Sequence, residues 1–125
     1  MALPGRSRFD KVRRLRKRVE FLAVQERGQR RHGRLMVVLA CRAPEGTPSR
    51  IGITVTRRVG SAVVRNRIKR MIREAFRTRQ AEVPPGLDIV VVARREAVGA
   101  SSLEIGQELI GAIHSLSRTL DKRRP

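Results

Sequence analysis

Between residues 57 and 77 the chain reads Arg57-Arg58-Val59-Gly60-Ser61-Ala62-Val63-Val64-Arg65-Asn66-Arg67-Ile68-Lys69-Arg70-Met71-Ile72-Arg73-Glu74-Ala75-Phe76-Arg77. Advancing about 100° per residue, Val64, Ile68, Met71, Ile72 and Ala75 gather on one side of a helix. Asn66, Lys69, Arg70, Arg73 and Arg77 gather on the other, with Arg65 and Arg67 flanking the boundary. Like charges then stand three and four positions apart (Lys69/Arg73, Arg70/Arg73, Arg73/Arg77), and only Glu74, an expected partner of Arg70 or Arg77, relieves them. Each such pair costs a few tenths of a kcal/mol. A helix that tolerates this repulsion suits a ligand carrying regularly spaced phosphates. The guanidinium fork favours such a ligand, since it can grip a phosphate through two hydrogen bonds.

The residue types that break bonds are not arranged to do so. His32 and His114 fall in a basic loop and on a late helix, Cys41 is the single cysteine, and Glu20, Glu26, Glu74, Glu82 and Asp88 are scattered. No zinc constellation, phosphate loop or paired-carboxylate metal centre can be composed from them. No catalytic residue and no protein-held metal is expected.

Charge placement says more than its total of +18 over 125 residues. Residues 1–34 carry twelve basic side chains against three acidic, residues 57–79 nine against one, and residues 80–125 balance. Concentration in two blocks points to a polyanion rather than to a solubility device. With 40% apolar residues the chain can fill one modest core. It has no apolar run long enough to span a bilayer and no secretory signal. One cysteine suits a reducing cytosol and allows no internal disulfide. A cytoplasmic protein without membrane contacts or a disulfide-linked partner is expected.

The elements that must position the basic helix follow from pattern. Residues 1–13 read as a basic, disordered tail. A helix spans 17–27, closed by Gly28, with Leu15, Val19 and Leu22 on one side and Phe21 and Val24 toward another. Residues 35–41 make an apolar strand, and 50–56 alternate as a half-buried strand expected to pair with it as a hairpin. Ser61 caps the basic helix, and Pro84-Pro85-Gly86 breaks the chain. Leu87–Ala93 is apolar enough for an internal strand, and Ser101-Ser102-Leu103-Glu104 opens a last helix with a capping box. The order α-β-β-α-β-α predicts a two-layer α+β domain over 14–120, followed by a short basic tail at 121–125. The helix follows a strand, unlike the usual helix-turn-helix, and no strand carries the aromatics on which single-strand readers stack bases. Folded RNA, recognised by shape and phosphate, is left as the leading partner. A structural RNA-binding protein such as a ribosomal component is the alternative, and a DNA-binding regulator a weaker one.

The stretch from Arg57 to Arg77 closely resembles the signature of the bacterial ribonuclease P protein subunit: a basic pair, Gly, a small residue, Arg-Asn-Arg, then Ile-Lys-Arg and Arg-Glu-Ala-Phe. The resemblance extends through Arg14-Leu15, Glu20-Phe21 and Gly28 upstream and Pro85-Gly86 with Asp88-Ile89-Val90-Val91 downstream. It implies a small mixed sheet with three helices and a left-handed crossover around the central helix, where sequence physics alone favours the right-handed form. It implies an endoribonuclease complex in which the RNA subunit holds the catalytic centre and most of the Mg²⁺. This chain would bind that RNA through Arg57, Arg58, Arg65, Asn66, Arg67, Lys69, Arg70, Arg73 and Arg77. It would also help remove the 5′ leader from precursor tRNA, with the leader in a cleft of the first helix and the sheet. Phe21 matches an aromatic of that cleft, whereas Gln25 and Leu39 stand where relatives often carry aromatics. Leader binding is therefore expected to depend more on arginines here.

Overall fold

The computed structural model describes residues 14–122. The expected disordered tail at 1–13 and the last three residues lie outside them. In chain order the elements are α1 (Arg18–Arg27), β1 (Gln29–His32), β2 (Met36–Arg42), β3 (Arg50–Thr54), α2 (Ala62–Thr78), β4 (Leu87–Ala93) and α3 (Ser102–Lys122), with short 3₁₀ turns at Gln80–Glu82 and Arg95–Ala97. The described residues form a mixed four-stranded sheet in the order β1-β2-β4-β3 with three helices, the α+β architecture anticipated.

β4 lies between β2, which it pairs antiparallel, and β3, which it pairs parallel. Flanked on both edges and covered on both faces, it must be apolar almost throughout. This placement overturns the expected hairpin: β2 and β3 are consecutive in the chain but separated by β4 in the sheet. Alternation in 50–56 reported a half-buried strand correctly, yet alternation cannot name the neighbour. A fourth strand was also missed. Gln29–His32, expected as loop, pairs antiparallel with β2, and its partners rather than its own polar residues make it a strand.

The two sheet faces bury unequal cores. On one, Val38, Ala40, Ile51, Ile89 and Val91 meet Ile68, Ile72, Ala75 and Phe76 of α2 and Ile105, Leu109, Ile113 and Leu116 of α3. Phe76 is fully buried and joins the apolar stripe anticipated for α2. On the other face a smaller cluster of Leu15, Val24, Leu39, Cys41 and Val90 is packed by Phe21, Val37 and Val92. The inner side of α1 is thus that of Val24 and Phe21, while Val19 and Leu22 are exposed.

Caps sit where the sequence puts them. Ser61 Oγ accepts from the Val64 N–H at 3.4 Å. Ser101 and Glu104 exchange reciprocal hydrogen bonds of 3.0 and 3.1 Å. Gly28 ends α1 in extended backbone rather than in the left-handed conformation usual for such glycines. It must be Gly because a Cβ there would stand 2.4 Å from the Val24 carbonyl oxygen. At the far end α3 runs on through Asp121, which pairs with Arg42, so the first two residues assigned to the C-terminal tail belong to the domain.

Candidate nucleic-acid interface

α2 is held by Ile68, Ile72, Ala75 and Phe76, which turns its opposite side to solvent. Asn66, Arg67, Arg70 and Arg77 are exposed there, and Arg65, Lys69 and Arg73 are half-buried along the flanks. Arg57 and Arg58 precede the helix, exposed on a turn closed by the Val59 N–H donating to the Thr56 carbonyl and anchored by the buried Val59. The side chains of Arg57, Arg67 and Arg70 make no hydrogen bond or ion pair with any described residue. Arg77 is different. Glu74 takes both its Nε, at 3.1 Å, and its terminal nitrogen, so this guanidinium is already neutralised and its proton held more firmly. Of the two partners anticipated for Glu74, Arg77 is therefore the one it pairs.

The cationic side of α2 continues into a cavity of about 320 Å³ between α1, β3 and α2, lined by Arg14, Arg16, Phe21, Gly52, Lys69 and Arg73. The Phe21 ring lies so close over Gly52 that a Cβ there would stand 2.5 Å from its Cζ. α1 is fixed above β3 by an ion network. Arg50 grips Asp88 with two bonds of 2.9 Å and reaches Glu20 Oε2 at 2.8 Å. Glu20 Oε1 meanwhile accepts the N–H groups of Arg16 and Lys17, each at 2.9 Å. These bonds, the one from Lys17 foremost, hold the Glu20 carboxyl below the usual carboxylate range against the opposing effect of burial. Paired to Asp88, Arg50 is held still more firmly protonated.

The three residues expected to share a cleft are not brought together as open lining. Phe21 lines the cavity, but Leu39 is 2% exposed, covered in the smaller core. Gln25 is exposed in a shallow groove beside Val19 and Leu22. A branched aliphatic side chain fits beneath α1, where it is packing rather than platform. Sequence reasoning also missed Arg14 and Arg16, which the Leu15 N–H to Ile51 carbonyl bond, 2.9 Å, brings beside β3. It missed Arg95, whose Nε donates to the Arg58 carbonyl at 3.2 Å. Nothing local marks these arginines; the meeting of distant segments does.

The groups with catalytic potential are apart. His114 Nε2 bonds the Glu82 carbonyl at 2.5 Å, His32 is exposed on β1, and burial pushes the Cys41 thiol pKa up. Among the described residues no three His, Cys, Asp or Glu side chains stand together as metal ligands, and no helix is long and apolar enough to cross a membrane.

Residues 9–117 match the sequence profile of the ribonuclease P family. The ribonuclease P protein component of Desulfovibrio desulfuricans is 42% identical over 111 residues, spanning 86% of this chain and 85% of the relative. A solved mutant of the Staphylococcus aureus RNase P protein, one with defective mRNA degradation activity, superposes with a TM-score of 0.81 at 32% identity, covering 92% of this chain and 97% of that one. The RNase P protein of Thermotoga maritima does so with a TM-score of 0.74 at 33% identity, covering 82% and 96%. With a buried apolar stripe behind the Arg-Asn-Arg helix, and with sequence and fold shared over most of its length, this chain belongs to the ribonuclease P protein family.

Proposed function

We propose that this chain binds the catalytic RNA of ribonuclease P and the 5′ leader of precursor tRNA, and assists Mg²⁺-dependent removal of that leader. The observation that carries the reading is the unbroken run from the exposed side of α2 into the Phe21 cavity. Arg57, Arg58, Arg65, Asn66, Arg67, Lys69, Arg70 and Arg73 form the RNA-facing surface. Arg77, tied to Glu74, is a weaker member of it. Lys69 and Arg73 border the cavity that takes single-stranded leader, where one phosphate contacts the cations while a base lies on Phe21. Such recognition needs phosphates and an accessible base face rather than a particular sequence.

Bond breaking is assigned to the RNA, and Mg²⁺ to sites held mainly by it. The described residues offer this ion no cluster of ligands. Mg²⁺ supplies the charge that activates water and stabilises the leaving oxygen. The protein's own part is to set fixed guanidinium groups among crowded phosphates. That lowers their mutual repulsion, so less divalent ion is needed to fold and bind.

Reconstitution tests this directly. Adding the pure chain to its cognate RNA subunit at limiting Mg²⁺ is expected to restore cleavage of a precursor tRNA at the mature 5′ end. Absence of rescue across the Mg²⁺ range, or co-sedimentation with ribosomal subunits in place of precursor processing, overturns the proposal.

A further inference from the structure

Two adjacent arginines follow β4, and the fold uses them differently. Arg94 serves the scaffold. Its backbone N–H donates to the Leu35 carbonyl at 2.9 Å and its Nη1 to the Gly33 carbonyl at 3.0 Å, while Nη2 stands 3.7 Å from Glu96. Arg95 turns to another segment. It opens the 3₁₀ turn Arg95–Ala97, which the buried Ala97 seats on the larger core, and its Nε reaches the Arg58 carbonyl at 3.2 Å. β3 and β4 are parallel neighbours, so the chain leaves both at the same end of the sheet and the two exits meet. That bond occupies one of five guanidinium N–H groups. The terminal nitrogens of Arg95 have no partner among the described residues, and the residue is exposed. The side chains of Arg57 and Arg58 are likewise exposed and unpaired among them.

We propose that Arg95 is a further RNA-binding residue, joining Arg57 and Arg58 in a three-arginine grip on backbone phosphate of the RNA subunit at the start of α2. The inference deepens the reading of this chain as a binder of that RNA and rests on it. One exposed hydrogen bond to a carbonyl adds little to stability. Its consequence is geometric. With Nε engaged, the edge made by the two terminal nitrogens stays free, and such an edge can grip a phosphate through two bonds. The same bond holds the Arg58 backbone, so Arg95 also positions its neighbours. The positive end of the α2 dipole adds to the local charge, and no acidic residue stands in the first turn to offset it. Glu96, next to Arg95 in the chain, pairs with Arg94 instead. None of Arg57, Arg58 and Arg95 lines the Phe21 cavity, so the contact falls to the RNA subunit and not to the leader.

The test measures binding of the full chain and its variants to the cognate RNA subunit across a salt series. Arg95→Ala is expected to weaken binding roughly two- to fivefold, the range of an exposed ion pair. It should also reduce the log–log salt slope by about 0.7–0.9, the worth of one phosphate contact. Arg95→Lys should restore the slope, because the charge returns. It should not restore all the affinity, because an ammonium lacks the fork that serves carbonyl and phosphate together. In the reconstituted complex both variants should keep the unmodified ratio of precursor to mature tRNA binding. Arg94→Ala should lower the urea midpoint and leave the salt slope unchanged. An undiminished slope in Arg95→Ala overturns the proposal and leaves this residue a structural tie. Equal slope losses in Arg94→Ala and Arg95→Ala overturn it in favour of general charge, and a loss confined to precursor overturns it in favour of a leader contact. Arg57→Ala separates the underlying reading. If it lowers the slope while Arg95→Ala does not, only this inference fails. If the unmodified chain binds the RNA subunit no better than an unrelated folded RNA, the reading itself fails and the role of Arg95 with it.

Discussion

Gly52 shows how one missing side chain shapes the cavity. A Cβ there would stand 2.5 Å and 2.7 Å from two Phe21 ring atoms and 3.1 Å from the Leu15 Cβ. The ring reaches in against the strand because that position has no side chain to push it off. Gly52→Ala is therefore expected to tilt Phe21 away, at an overpacking cost of roughly 1–3 kcal/mol. Precursor binding should weaken about tenfold, within the ~1–3 kcal/mol of a stacked base, while mature tRNA binding is retained. Titrations of both RNAs check this, with a circular dichroism melt to confirm folding. Equal weakening for the two would show that Phe21 does not read the leader. Phe21 itself stood out in the sequence beside Glu20, whereas Gly52 looked like one more residue on the polar side of an alternating strand. Its reason for being glycine lies on a helix thirty residues away in the chain.

At the scale of elements, α2 and the β1–β2 hairpin contrast. α2 is readable because both its faces are written in local spacing: apolar residues repeat with the helical period and cations fill the gaps. The hairpin depends on a residue more than seventy positions away. Glu108 of α3 accepts the N–H groups of Arg34, Leu35 and Met36 at 2.9–3.1 Å and so fixes the turn that launches β2 and holds β1 beside it. Glu108→Ala should cost roughly 1–3 kcal/mol, the worth of hydrogen bonds to a charged acceptor, measured by urea unfolding. Native-state hydrogen exchange should show the amides of residues 34–36 losing protection ahead of those in β4. Unchanged protection there would mean that the turn holds itself. No pattern in Gln29–His32 foretells a strand, because an exposed edge has no apolar face to advertise. Likewise the separation of β2 from β3 is decided by where β4 inserts.

At the scale of the whole molecule, the cations of α2 and the adjoining cavity form one surface, and several carboxylates among the described residues serve as fasteners. Glu20 joins α1 to β3, Glu104 caps α3 and reaches Arg34, Glu108 holds the hairpin, and Asp121 ties the end of α3 to Arg42. Glu20 and Glu104 are both held below the usual carboxylate range, Glu20 chiefly by the Lys17 N–H and Glu104 chiefly by the Ser101 N–H. A carboxylate depressed in the folded state stabilises it at every pH above the unfolded value. That contribution is lost as pH falls through the folded one. Stability should thus be level through neutrality and fall below about pH 4. Glu20→Gln should lower stability at neutral pH and lose less of it on acidification, as read from urea midpoints across the range. Parallel curves for the two proteins would remove Glu20 from this role. By itself the sequence determined the caps, the two-faced α2, the internal β4 and the clustering of charge, since each depends on neighbours within a turn or two of the chain. Only the tertiary structure decided which strands pair, that Leu39 is packing, and that Arg14, Arg16 and Arg30 border the same sheet face as Phe21. Those outcomes follow from long-range contacts that no local periodicity encodes: the insertion of β4 between β2 and β3, the pairing of β1 with β2, and the seating of α1 and the segment before it on the sheet.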